Sequence, residues 1–173
     1  MPLLRGRRDS GGTKYRMREK LLSIGDDSWI ENEGGDRVYK ANGKALRIRD
    51  TLVLETPGGD ELFKIQEKKL SIRDKMEIED GAGKTVATVK KALVSPLRDR
   101  FSVSVEGGED IDAHGNVVDH EYKIERGGDK VAEVSKRWFR IRDTYGIEIE
   151  PDQDDALILA VVVCIDQMTH DVG

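Results

Sequence analysis

One hairpin pattern is written four times along this chain, and an unbroken apolar run follows the last copy. The pattern is an apolar alternation, a Gly-rich turn, a second alternation and then Arg-Asp. The dipeptide recurs at Arg49-Asp50, Arg73-Asp74, Arg98-Asp99 and Arg142-Asp143, with spacings of 24, 25 and 44 residues. Period-2 alternation bounded by Gly and Asp is the mark of a β-hairpin. Trp29 to Asn32 leads through Gly34-Gly35-Asp36 into Val38 to Lys40, and Val53 to Glu55 leads through Pro57-Gly58-Gly59-Asp60 into Leu62 to Ile65. Met76 to Glu79 leads through Gly81-Ala82-Gly83 into Val86 to Val89, and Tyr122 to Glu125 leads through Gly127-Gly128-Asp129 into Val131 to Val134. One face of each segment is apolar and the other carries Glu, Lys and Arg, as in a sheet wetted on one side.

The longest spacing holds a repeat with an insertion, in which we expect a strand at Phe101 to Val105 and a polar connection from Glu106 to Asn116. Tyr15 and Met17 alternate within Lys14 to Lys20 and suggest the first strand. The count comes to about twelve strands. A sheet of that length in one small domain must curl or close to remove its edges.

Residues Ala156 to Ile165 are apolar without a break. Their β-branched valines favour a strand, whereas length and the preceding Pro151-Asp152-Gln153-Asp154-Asp155 favour a helix, because aspartates cap free N–H groups and suit the positive end of the dipole. We expect a helix over 154–168. A helix apolar on every face needs apolar surroundings on every side. The fold class is therefore mainly β: a closed antiparallel barrel of about twelve strands around a central buried C-terminal helix.

Composition narrows the function classes. The charged fraction of 36% sits beside an apolar fraction of 37% that alternates or clusters, unlike a disordered chain. Net charge is −5, so no global basic field announces nucleic-acid binding. The single cysteine, Cys164, excludes an intrachain disulfide and points to a reducing, cytoplasmic setting. Residues 1–13 are rich in Arg, Gly and Ser and suggest a flexible basic tail, with one domain over 14–173. The apolar run is shorter than the roughly 20 residues a membrane-spanning helix needs, so no transmembrane segment is expected.

The order and spacing of several segments carry a resemblance. They are Tyr15 to Asp27 (YRMREKLLSIGDD), Gly43-Lys44 with Arg49-Asp50-Thr51-Leu52, Gly115 to Tyr122 (GNVVDHEY), and Tyr145-Gly146 followed by Asp155 to Ala160. Together they resemble the LURP-one-related family of the Tubby C-terminal-like superfamily. The resemblance implies a twelve-stranded barrel around a C-terminal helix. It implies no established enzymatic activity and no cofactor; Tubby domains bind phosphoinositides. Phospholipid scramblases are similar at the C-terminal end, with an aromatic-Gly-Ile segment, acidic residues and an apolar helix.

Two basic clusters are the candidate anionic-ligand sites. One is Lys68-Lys69 with Arg73 and Lys75; the other is Lys136-Arg137-Trp138-Phe139-Arg140 with Arg142. Arginine forks suit phosphorylated groups, and tryptophan suits a membrane interface. A regular strand would put Lys136, Trp138 and Arg140 on one face. The competing reading is a solvated outer wall with snorkelling side chains. The Arg-Asp pairs read better as strand corners than as an anion face. Asp110-Ile-Asp-Ala-His-Gly115 with Glu121 has the spacing of a calcium loop, but His114 stands where an oxygen donor belongs and the flanks are strands. A weaker calcium alternative, implied by the scramblase similarity, is Asp143, Glu148, Glu150, Asp152 and Asp154. Gly83-Lys84-Thr85 ends like a P-loop but lacks the first glycine, since position 78 is Ile78. Cys164 lies inside the apolar run, and the three histidines are scattered, so no nucleophile has an evident base.

The expected function is a non-enzymatic module binding an anionic phospholipid or phosphoinositide headgroup through a basic outer face, cytoplasmic and peripheral at membranes. Two alternatives stand beside it: a structural scaffold with a protein partner and no lipid preference, and a calcium-dependent, scramblase-like lipid-active protein.

Overall fold

A computed structural model describes residues 12–18, 28–42, 51–67, 75–92, 99–139 and 144–170. Twelve strands form in chain order: β1 (Thr13–Arg18), β2 (Ser28–Asn32), β3 (Arg37–Asn42), β4 (Thr51–Glu55), β5 (Glu61–Glu67), β6 (Lys75–Asp80), β7 (Thr85–Ala92), β8 (Asp99–Val105), β9 (Ile111–Asn116), β10 (Glu121–Arg126), β11 (Asp129–Ser135) and β12 (Thr144–Ile149). The helix α1 (Asp155–His170) follows. Each strand pairs antiparallel with its sequence neighbour, and β1 pairs with β12 to close the barrel. Closure leaves no unpaired edge.

The repeat seen in the sequence is a bulged hairpin. The register shifts between Ile30 and Glu31, Leu54 and Glu55, Ile78 and Glu79, and Ile124 and Glu125, at the same place in each of the four copies. Such bulges add local twist, which a closing sheet needs. Three turns are also alike. Asn32, Thr56 and Asp80 each accept, through a side-chain oxygen, the N–H of the residue four positions on. Gly35, Gly59 and Gly83 sit at φ of 88°, 94° and 82°, a conformation that glycine adopts without strain.

Alternation then sorts the walls. Tyr15 and Met17 of β1 lie opposite Ile147 and Tyr145 of β12 and point inward, whereas Lys14 and Arg16 lie opposite Glu148 and Gly146 and point outward. The inward residues meet α1, which is buried from Leu157 to Asp166. Asp154 caps the helix, its carboxylate accepting the Leu157 N–H at 3.2 Å. The Tyr15 hydroxyl donates to Asp155 at 2.5 Å and ties the helix start to the barrel wall.

The chain differs from expectation in three places. Ile111–Asn116 is a strand, not part of a polar connection, because Ile111 and Ala113 alternate into the core. Strand β11 ends at Ser135, so the alternation expected through Lys136, Trp138 and Arg140 does not continue. The helix occupies Asp155–His170, one residue later at its start and two at its end than expected. Arg49-Asp50, Arg73-Asp74, Arg98 and Arg142-Asp143 lie outside the described residues, as do residues 1–11; Asp99 opens β8.

Candidate anion-binding groove

The ends of β9, β10 and β11 frame a groove of about 460 Å³ on the outer wall. Its floor depends on Gly115. At φ 138° a side chain there is strained, and an added Cβ would stand 2.8 Å from the Glu121 carbonyl oxygen and 2.9 Å from the Tyr122 Cα. Only glycine lets β9 approach β10 this closely.

Glu121 organises the rim. One carboxylate oxygen accepts the Ser135 hydroxyl and the Lys136 backbone N–H, both at 3.0 Å. The Arg137 backbone N–H donates in turn to the Ser135 hydroxyl oxygen at 3.1 Å. This small network turns the chain at the end of β11 and sets Arg137 at the rim, its side chain 84% exposed. Its Nε lies 4.0 Å from Glu121, a loose contact beyond hydrogen-bonding distance.

The next two residues fold back over β12. Trp138 and Phe139 lie across Gly146, where an added Cβ would meet each ring at 2.8 Å. Strand β12 thus carries a glycine for the sake of its covering. Lys14 lies 5.8 Å from the Trp138 ring centroid and Arg16 lies 6.0 Å from that of Phe139, within the range of cation–π attraction.

The charges in the groove are unequally engaged. Glu133 is held by Lys130 at 3.2 Å, His114 faces Glu125 at 3.2 Å, and Glu121 is occupied as above. Burial lowers the Lys130 pKa, but the hydrogen bond that its ammonium donates to Glu133 and the charges of Glu133, Glu150 and Glu148 outweigh it and leave a net rise. Lys123 is exposed and has no ion-pair partner among the described residues. The groove therefore offers Lys123, which has no ion-pair partner among the described residues, and the exposed Arg137, only loosely paired with Glu121, beside the half-buried Trp138.

Of the residues expected from sequence, Arg137 and Trp138 meet here, with Lys136 contributing its backbone N–H. Lys75 lies on β6, away from the groove, 3.7 Å from Glu77. Lys68, Lys69, Arg73, Arg140 and Arg142 lie outside the described residues. Lys123 and Ser135 were not singled out, and His114, Gly115 and Glu121 were named only for their calcium-loop spacing. The signal available was Gly115 inside a strand-like alternation, which marks close backbone approach.

The described acidic residues of the calcium alternative are taken up in different ways. Glu148 faces Lys14 at 3.7 Å, Glu150 faces Lys130 at 3.6 Å, Asp154 caps α1, and Asp152 is exposed at φ 64°. Asp143 lies outside the described residues. Among the described residues no group of three or more His, Cys, Asp or Glu is placed to hold a metal ion, and no helix is long and apolar enough to cross a membrane. In the Asp110–Glu121 segment, Asp112 faces Arg100 at 3.8 Å and His114 faces Glu125. His120 is buried instead, stacked on Tyr145 with ring centroids 4.1 Å apart and 3.8 Å from Asp166.

A closed twelve-stranded barrel around a C-terminal helix is the Tubby-like class of fold. The family model described as LURP-one-related matches residues 13–166, and the chain belongs to that family. Among solved structures, a protein of Arabidopsis thaliana is similar with a TM-score of 0.68 at 15% identity, covering 90% of each chain, a likeness of fold. No curated protein matches the chain.

Proposed function

We propose that the protein is a non-enzymatic binding module for an anionic ligand, a phosphorylated lipid headgroup, held in the groove between β9, β10 and β11. One observation carries this reading: the groove's carboxylates are engaged from within, while Lys123 is without an ion-pair partner among the described residues and Arg137, 84% exposed, is held only loosely by Glu121, both beside an aromatic wall. A guanidinium and an ammonium together suit a phosphate through charge-assisted hydrogen bonds. Trp138 suits the boundary between headgroup and acyl chain, where an amphipathic ring is at home. Membership of a Tubby-like family supports the lipid as the source of the phosphate.

The test is co-sedimentation with vesicles of neutral lipid alone or with an added anionic phospholipid, at low and moderate salt, with calcium or chelator. Saturable binding to anionic vesicles that weakens with salt supports the reading. Replacing Lys123 and Arg137 together by Ala should remove that binding and leave the thermal midpoint within experimental error. Unchanged binding by this pair would remove the groove from the account. A strict need for calcium would favour the scramblase-like alternative instead.

A further inference from the structure

Strands β12, β1, β2 and β3 lie side by side in the barrel wall. Strand β1 sends Tyr15 and Met17 inward, so Lys14, Arg16 and Arg18 form a column of cations on its outer side. An aromatic cluster stands on each flank of that column. On one flank, Trp138 and Phe139 cover Gly146 of β12, within cation–π range of Lys14 and Arg16. On the other, Trp29 of β2 lies opposite Lys40 of β3. The Arg37 guanidinium is 4.8 Å and the Lys40 ammonium 5.8 Å from the Trp29 ring centroid. These are the only two tryptophans of the chain. Contacts join the two clusters: Arg16, beside Phe139, donates to Glu31, and Glu31 lies opposite Arg37.

Charge on this face is unevenly matched. Glu148 is held by Lys14, Glu31 by Arg16 and Glu55 by Lys40. Arg18 and Arg37 are exposed and have no carboxylate partner among the described residues. Glu33 and Asp36, in the turn from β2 to β3, bound the face at the end away from Arg18. Exposed cation–π and ion pairs of this kind add little to stability. Yet both tryptophans of the chain stand on this wall, half-buried, with an excess of cations between and beside them.

We propose that the barrel lies side-on against an anionic membrane, with the outer wall of β12, β1, β2 and β3 toward the lipid and Trp29 and Trp138 at the headgroup boundary. This rests on the lipid-headgroup reading and deepens it, because Trp138 also lines the groove and so brings its mouth to the same surface. Four strands span about 14 Å at the usual inter-strand spacing, narrow enough for both indoles to reach one surface. The indole is amphipathic and settles at headgroup level, while Lys and Arg stems run along apolar surface and keep their charges in water. Single-stranded nucleic acid is less well served, for it needs ring faces on which bases stack. Here cations lie over the rings of Trp29 and Trp138, and Trp138 is seated on Gly146.

Intrinsic fluorescence reads this face directly, since no other tryptophan contributes. Trp29→Phe and Trp138→Phe each leave one reporter. A third protein carries both changes with Ser104→Trp, at an exposed position on β8, five strands from β1 around the barrel. These and the parent protein are mixed with vesicles of neutral lipid, alone or with an anionic phospholipid, whose acyl chains are brominated close to the headgroup. Co-sedimentation is measured in parallel. With anionic vesicles the proposal expects Trp29 and Trp138 each to shift to the blue and be quenched by the bromines, and the reporter at position 104 to stay unchanged. It also expects Arg18→Ala and Arg37→Ala, both outside the groove, each to weaken vesicle binding roughly fivefold. Co-sedimentation with a silent Trp29, an equal response at position 104, or undiminished binding by both arginine variants would overturn side-on docking and leave the headgroup reading standing. Failure of the parent protein to co-sediment with anionic vesicles would overturn both. Quenching of Trp29 by a single-stranded oligonucleotide, with no response to vesicles, would replace the membrane with a nucleic acid.

Discussion

Gly146 tests how the groove's aromatic wall is held. It sits inside β12, opposite Arg16 on one side and Ser135 on the other, in a strand where valine would ordinarily be preferred. Its φ does not lie in the left-handed region, so backbone strain does not demand glycine there. The covering does, because any Cβ would stand 2.8 Å from both the Trp138 and the Phe139 ring. Gly146→Val must therefore lift two half-buried rings off the wall. Overpacking of this kind costs about 1–3 kcal/mol, against a strand-preference gain of at most about 1 kcal/mol, for a net loss of up to about 3 kcal/mol. At about 2–4 °C per kcal/mol for a domain of this size, thermal denaturation resolves the effect. The decisive comparison is the double-mutant cycle. With Trp138→Ala and Phe139→Ala already present, Gly146→Val should become neutral or stabilising. An equal effect in both backgrounds would refute the proposed packing.

Three further outcomes follow from the same structure. Gly115→Ala should destabilise by about 1–3 kcal/mol, since both the backbone angle and the contact with Glu121 and Tyr122 oppose a side chain, and urea unfolding checks it. The Tyr15 pKa is raised by burial first, then by its hydrogen bond to Asp155, and that of Tyr122 by burial and then the charge of Asp166. The folded state thus keeps protons that the unfolded chain releases above about pH 10, so stability is full below that pH and falls as pH rises beyond it. Absorbance at 295 nm should show these phenols ionising only as the barrel unfolds, and Tyr15→Phe should flatten the alkaline loss. Cys164 should resist a thiol reagent in the native state and react in denaturant; rapid native labelling would contradict a helix enclosed by the barrel.

The barrel was legible in the sequence because its signals are local and repeated. The turn glycines, the period-2 alternation and an apolar run with no polar face each limit the possibilities, and together they require a closed wall around a helix. Strand β9 was hidden because His114 and Gly115 interrupt its alternation, and only Ile111 and Ala113 mark the inward face. The groove was half legible. Arg137 and Trp138 stood out as cations beside aromatics, but the strand expected to carry them ends at Ser135. That ending is set by the Glu121 carboxylate, which is near in space and fourteen residues away from Ser135 in sequence. The seat of Trp138 on Gly146 is likewise a long-range contact that no alternation announces.

The most direct measurement is an amide NMR titration of the isotope-labelled protein with a water-soluble inositol phosphate, which carries the headgroup chemistry without a membrane. The account predicts saturable shifts confined to the groove, at Gly115, Lys123, Ser135 and Arg137, that shrink with added salt and vanish in the Lys123→Ala, Arg137→Ala protein. Shifts centred elsewhere on the barrel, or none at ligand concentrations where anionic vesicles already bind the protein, would contradict it.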